Sequence, residues 1–352
     1  MNGTSLIMIT FMFVSLLFTA ANLILFRGHL KRAYGIILIA VYTYSLTTTI
    51  VSCLSNAILI YVLAVTHLAH VGPYRYLLLI FAVVDVLISL VHLALIPAIH
   101  MTEFGYIYFG YRFLHDGTSM GVGAGLIWVL LFYQTFVLLA FHYVYRYVML
   151  CSPAWLSGFR RNPWRSWLAA TFVADVIFVG GIILCCLMGL LPSEQSRAAF
   201  APVLKEVYNI DLFAPNRPGY LGIIYWTLDD RGEKEWIPWE VLTICCIIVL
   251  FFSNALLIVL CILRIVLELN DGRVGNHSPA TKRLQKQLFN TLLWQTIIPT
   301  ITSYTPLAAI FLVPLTGISL GGFGTVFIMS TALFPMLDPY IVIFLISGCG
   351  YS

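Results

Sequence analysis

The chain has 352 residues, of which 61% are hydrophobic and 10% charged, against about 45–50% apolar and about 25% charged in soluble domains. That balance excludes a soluble globular protein and describes a polytopic membrane protein with no room for a sizeable soluble domain. The net charge of +4 does not point to nucleic acid, because the basic residues stand in connections between apolar runs, where they orient a chain in membrane lipid.

Runs long enough to cross about 30 Å of hydrocarbon at about 1.5 Å per residue occupy residues 5 to 26, 34 to 66, 75 to 100, 118 to 148, 167 to 191, 239 to 265, 288 to 313 and 319 to 347. The first is anomalous. It is followed, not preceded, by Arg27, Lys31 and Arg32, whereas a signal peptide carries its positive charge before the apolar run. An additional helix, an atypical signal sequence and a mis-joined start of the gene model all fit it. Residues 1–33 are therefore set apart from a seven-helix domain at 34–347. The expected fold is an all-α integral membrane protein, a seven-transmembrane helix bundle with one extra N-terminal hydrophobic helix.

Orientation follows from the connections at 67 to 75, 144 to 167 and 264 to 287. They carry Arg75, Arg146, Arg160, Arg161, Arg165, Arg264, Arg273, Lys282, Arg283 and Lys286, and short basic connections stay cytoplasmic. The opposite side holds Arg112 and the long 192 to 238 connection, whose charges weigh less because it is long. The C-terminus is then cytoplasmic. None of the eight cysteines falls in an outer connection, so no disulfide is expected to pin the long one.

Ionisable groups inside a membrane are candidates for function. Asn56, Asp85 and Asp338 lie at one depth, about 15 Å from the inner face at about 1.5 Å per residue, and can form a single cluster. No Lys or Arg inside a span neutralises the two carboxylates; either one is protonated, or a cation and water are shared between them. The alternative is that each Asp is a lone packing residue. Asp175 either joins them or hydrogen-bonds to a neighbour. Pro299 and Pro306 in the sixth helix of the seven, and Pro335 and Pro339 in the last, each permit a hinge, although proline is also common in membrane helices.

The stretch 118 to 151 opens with Gly121, Gly123 and Gly125 and runs apolar to Ala140. It then places Arg146 between Tyr145 and Tyr147 where the apolar run gives out. An arginine at a helix end can snorkel to the interface as an anchor, or it can serve a partner there. In the opposite half of the bundle, Trp128, His100 with Pro97, and Tyr304 are candidates to line a pocket. With no charged residue in that half, a small neutral ligand fits better than an ionic one; each ring could equally face lipid or pack between helices. No HExxH, GxSxG, Walker-type loop or Cys/His cluster with metal spacing occurs, so neither an enzyme nor a cofactor or metal is indicated.

Several motifs in order resemble the nematode seven-transmembrane chemoreceptors of the Str class, over about residues 39 to 346. Gly72-Pro73-Tyr74-Arg75-Tyr76-Leu77-Leu78 is similar to that family's first inner loop, and Pro97 with His100 to its second-helix P-x-x-H. Phe141-His142-Tyr143-Val144-Tyr145-Arg146-Tyr147 and Leu150-Cys151-Ser152-Pro153 are similar to its HFIYRY and LCRP region, with Ser152 where arginine is usual. Tyr208-Asn209-Ile210-Asp211, Gln295-Thr296-Ile297-Ile298-Pro299 and Pro335-Met336-Leu337-Asp338-Pro339 match its outer-loop, sixth-helix and seventh-helix signatures. The resemblance implies a G-protein-coupled chemosensory, odorant-type receptor in the plasma membrane of sensory cilia. Its partners would be a small-molecule ligand and a heterotrimeric G protein, with Arg146 as the foot of the third helix at the G-protein side. A reading from another class is a proton- or sodium-coupled secondary transporter using Asp85 and Asp338. It lacks the paired half-repeats and interrupted helices such proteins show.

Overall fold

The computed structural model describes residues 30–65, 74–114, 116–151, 163–229, 231–270 and 279–347. The expected helix at 5 to 26, the basic cluster's Arg27 and the connections around Arg160, Arg161 and Arg273 lie outside them. Among the described residues, seven helices are long and apolar enough to cross a membrane: Leu38–Val65, Tyr74–Leu95, Thr118–Cys151, Arg165–Gly189, Pro238–Asn270, Gln285–Thr316 and Gly324–Ile343. We number these spans one to seven. The third is the axial one, packed against the second, fourth, fifth and sixth, while the seventh closes the bundle against the first, second and sixth. Its burial says the same, for almost every residue from Phe132 to Tyr143 is buried.

Two spans are not uniform α-helix. The fourth passes through a π-turn at Asp175–Val179. The sixth runs as α-helix to Pro299, opens into a π-turn over Thr300–Tyr304, and resumes at Thr305–Leu312 with Pro306 in its first turn. Pro306 has no N–H to offer the carbonyl one turn back, and the Thr302 carbonyl accepts instead from Ser330 Oγ of the seventh span at 2.8 Å. The seventh does the same in reverse. Pro339 cannot donate to the Pro335 carbonyl, which accepts from Asn56 Nδ2 at 2.9 Å and Ser52 Oγ at 3.0 Å, both on the first span.

The helical seven-span fold is as expected, with one local correction at the end of the bundle away from the arginine-rich connections. The second span stops at Leu95 rather than running to residue 100. Pro97 disfavours helix in the residue before it, and Ile96 takes φ 47°, a left-handed conformation costly for a β-branched side chain. The chain then forms β1 (Pro97–Met101) and β2 (Gly105–Gly110), and β3 (Leu221–Ile224) from the long connection pairs antiparallel with β2. A second hairpin joins β4 (Trp226–Leu228) to β5 (Lys234–Trp236). Every residue of β1, β2 and β3 is buried. Alternation along the strands explains how: Ile99, Met101, Tyr106, Tyr108, Leu221 and Ile223 point into the bundle core. Ala98, Ile107, Phe109 and Ile224 point the other way, onto Phe200, Leu204 and Tyr208 of an outer helix at Glu194–Tyr208.

That outer layer is stitched to the spans. Arg197, 3% exposed, donates to the Leu212 and Pro218 carbonyls and to Thr118 Oγ1 at 3.0–3.1 Å, and stands over the Tyr220 ring. A methyl group on Gly219 would collide with the Thr118 carbonyl and the Val122 amide, so the chain entering β3 lies directly on the start of the third span. Gly222 N donates to the Leu190 carbonyl at the end of the fourth.

Candidate functional site

At the basic end the third span presents Phe141 to Tyr147 to three neighbours. Arg146 does not snorkel: it is 4% exposed and sits in the bundle, its guanidinium 4.4 Å above the Tyr74 ring and its Nη1 donating to Gln285 Oε1 of the sixth span at 2.9 Å. Its Nε and Nη2 find no partner among the described residues. Tyr74 Oη and His142 Nδ1 share a hydrogen bond of 3.0 Å, and Tyr145 stacks on Tyr74 and leans on Trp167 of the fourth span. Tyr143 Oη donates to the Leu292 carbonyl at 3.1 Å and lies 2.7 Å from Thr296 Oγ1. Tyr147 is half-buried. Gln285 is a partner the sequence does not single out, whereas Tyr74 and Thr296 stand in the motifs named above; Gln285, Leu292 and Thr296 share one face of the sixth span.

One layer deeper lies the polar cluster. Asn56 and Asp85 are fully buried and Asp338 is 1% exposed. Asn56 donates to Ser52 and Pro335, Ser89 Oγ lies 2.8 Å from Ser52 Oγ and donates to the Asp85 carbonyl at 2.8 Å, and Gln295 Nε2 donates to Asp338 Oδ1 at 2.9 Å. The first, second and seventh spans therefore meet through the small hydroxyls of Ser52 and Ser89, and the sixth joins the seventh through Gln295. Both carboxylate oxygens of Asp85 lack a partner among the described residues, and Asp85 lies within electrostatic reach of Asp338. Asp175 pairs instead with Gln134, at 3.0 Å, where the fourth span's π-turn begins.

Under the sheet is a cavity of ≈ 60 Å³ bounded by the third to seventh spans. Trp128, Phe132 and Tyr133 form one wall, Ile182 and Cys186 another, Phe251, Leu307 and Phe311 a third, and Ile99, Tyr106 and Tyr108 of the sheet its ceiling. Trp128 stacks on Phe132 with ring centres 5.1 Å apart, and its Nε1 donates to His92 Nδ1 at 3.4 Å. The hydroxyls of Tyr106 and Tyr108 find no partner among the described residues. Burial raises both hydroxyls well above their ordinary pKa, so they stay neutral donors.

Of the three expected pocket residues, Trp128 lines this cavity and the others do not. His100 belongs to a strand rather than a helix, and strand alternation turns it to the opposite face, where its Nδ1 meets Tyr208 Oη at 3.1 Å. Tyr304 lies against Phe136, ring centres 4.4 Å apart, and is not part of the cavity wall. Burial lowers the His100 pKa from 6.5 to about 4. Its folded value is thus below its unfolded one, so the stabilisation is complete above pH 6.5 and is lost as pH falls towards 4, by about 3 kcal/mol across the window. Unfolding temperature measured at pH 7 and pH 5 should fall with acidification, and His100→Gln should flatten that dependence. An unchanged slope in the variant would locate the acid sensitivity elsewhere.

A seven-span bundle with an apolar cavity at one end and a buried arginine network at the other fits a receptor. The family described as Serpentine type 7TM GPCR chemoreceptor Str matches residues 41–348, and the chain belongs to it. It is similar to Serpentine receptor class r-10 of Caenorhabditis elegans, 25% identical over 285 residues covering 79% of each chain, and to its Caenorhabditis briggsae counterpart, 24% identical over 278 residues covering 79% of each. G-protein coupled receptor str-33 of Caenorhabditis elegans is 24% identical over 298 residues, covering 82% of each chain. The protein is therefore an integral membrane receptor of the G-protein-coupled kind and not an enzyme, with a ligand and a G protein as its partners in general terms.

Proposed function

We propose that the chain is a plasma-membrane chemosensory receptor whose ligand is a small neutral molecule held in the cavity beneath the sheet. The basic connections face the cytoplasm in this reading, and the sheet faces outward. Ligand binding favours the state in which the inner half of the sixth span turns about the π-turn between Pro299 and Pro306, with Pro335 and Pro339 letting the seventh follow. Arg146, with Tyr145 and Tyr147, then becomes available to a heterotrimeric G protein. The ligand must bind that state better than the resting one, since equal affinity shifts nothing. The observation that carries the reading is the cavity: it is walled almost entirely by aromatic and aliphatic side chains, and no charged side chain stands among its described lining residues. An ion buried there would lack a partner, at a cost of several kcal/mol.

The test is a screen of neutral volatiles against multiply charged metabolites in cells expressing the receptor, read as G-protein activation. Neutral compounds should supply the agonists. Trp128→Ala should weaken their potency by about tenfold or more at equal surface abundance, a loss of at least about 1.4 kcal/mol. A robust response to a charged metabolite, unchanged in the variant, overturns both the place and the chemistry.

A further inference from the structure

Among the described residues the ceiling of the cavity is closed. β1, β2 and β3 are buried on both faces, and the sheet is tied to the bundle around its rim. Met101 and Gly321 exchange backbone hydrogen bonds of 2.8 and 3.0 Å, Thr325 Oγ1 of the seventh span donates to the Ile99 carbonyl at 3.1 Å, and Gly222 is bonded to Leu190 of the fourth. Tyr225 Oη donates to the Phe311 carbonyl of the sixth at 2.9 Å. Outside the sheet lies a second apolar layer, with Phe200, Leu204 and Tyr208 packed on it. A ligand descending from water would have to break these bonds and expose both faces of the sheet.

The side wall is different. Among the described residues the fifth and sixth spans, both of which line the cavity, do not pack closely backbone to backbone. Four cavity-lining side chains are only half-buried, Val129, Phe251, Leu307 and Phe311, and three of them flank that seam. Phe251 comes from the fifth span and Phe311 from the sixth, and their rings meet across it with centres 6.4 Å apart. Immediately beside them Phe252, Leu256 and Leu312 are exposed, on surface that a bilayer covers. The backbone at Phe311 is held by Tyr225, so rotation of the two rings would open the seam without displacing the helix; such rotamer changes are fast.

We propose that the ligand reaches the cavity laterally from the bilayer, between the fifth and sixth spans, with the Phe251–Phe311 pair as the gate. This rests on the cavity being the ligand site, and it narrows the ligand class to small, neutral compounds that dissolve in hydrocarbon. The sheet acts as a fixed lid that keeps water-borne polar molecules out.

The experiment uses the full chain in phosphatidylcholine nanodiscs with tritiated 1-hexanol as probe, and empty nanodiscs as background. In Phe251→Cys with Phe311→Cys, the probe is loaded first, the two thiols are then joined with a short bifunctional methanethiosulfonate, and wash-out is followed before and after dithiothreitol. Wild-type protein treated alike controls for Cys186, which lines the cavity, and for the exposed Cys245 and Cys246. Joining the thiols should slow wash-out by about tenfold or more, within the range over which dissociation rates of one site vary, and dithiothreitol should restore it. A merely conformational effect of the cross-link would alter signalling without trapping the probe. Wash-out that is equally fast from the joined receptor, while occupancy still depends on Trp128, overturns the route and leaves the site standing. No occupancy above empty nanodiscs in the unjoined receptor overturns the site and the route together. If the double variant does not fold, Phe311→Ala replaces it: wash-out should speed up by about tenfold, and an unchanged rate overturns the gate.

Discussion

Arg146→Ala should reduce agonist-evoked G-protein activation by about 5- to 150-fold, the range spanned by a coupling energy of about 1–3 kcal/mol, with surface abundance little changed. The guanidinium is held by Gln285 and the Tyr74 ring, and two of its nitrogens have no partner among the described residues. Removing the whole side chain deletes a buried charge together with its contacts, so it need not unfold the bundle. Gln285→Ala separates the two roles of this arginine. It removes the Arg146 tie between the third and sixth spans while keeping the charge and the Tyr143 bonds, so basal activity should rise and the agonist response should survive. Normal signalling from Arg146→Ala would return the residue to a packing role and sink the proposed coupling surface.

The second large effect belongs to stability. Ser52→Ala with Asn56→Ala removes both donors to the Pro335 carbonyl, leaving a buried acceptor unpaired and a small void, at a cost of about 3 kcal/mol. Pro339→Ala restores an N–H one turn beyond Pro335. In that background the same pair of substitutions should cost about 1 kcal/mol less or better. Thermal unfolding of the four proteins in detergent gives the cycle, and strict additivity would mean that the proline spacing and the asparagine are unrelated.

That pair also shows where sequence reading stops. Asn56 and Asp338 were visible as polar residues at matching depth, because charge and amide groups stand out in an apolar run. Pro335 and Pro339 were visible as helix breakers. That the missing N–H of one proline creates the acceptor for Asn56 is a tertiary fact, and a serine or threonine that completes such a network looks like any other small residue in a membrane helix. The seven spans were legible because about twenty apolar residues have few alternatives in a bilayer. The sheet was not. Pro97 to Met101 and Gly105 to Gly110 are short continuous apolar stretches, and periodicity cannot separate a strand buried on both faces from the end of a helix. The error propagated to the site: read as helical, His100 was placed with the pocket, whereas strand alternation gives that position to Ile99. Tyr106 and Tyr108, part of the ceiling of the cavity, fall between the apolar runs at 75 to 100 and 118 to 148 and carry no signal of their own.

The pairing of residues 105–108 with 221–224 also fixes an order of assembly. β2 leaves the ribosome before the third and fourth spans are made, and β3 only after them, so the two strands can meet only once both intervening helices have crossed the bilayer. Closing so long a loop is slow relative to forming any single helix. Until then β2 is an apolar strand with an open edge at the membrane surface, the kind of segment that recruits chaperones and seeds aggregation. Receptor biogenesis should therefore have its vulnerable interval between synthesis of the second span and arrival of β3, and lesions in the 192 to 238 connection should be degraded before export.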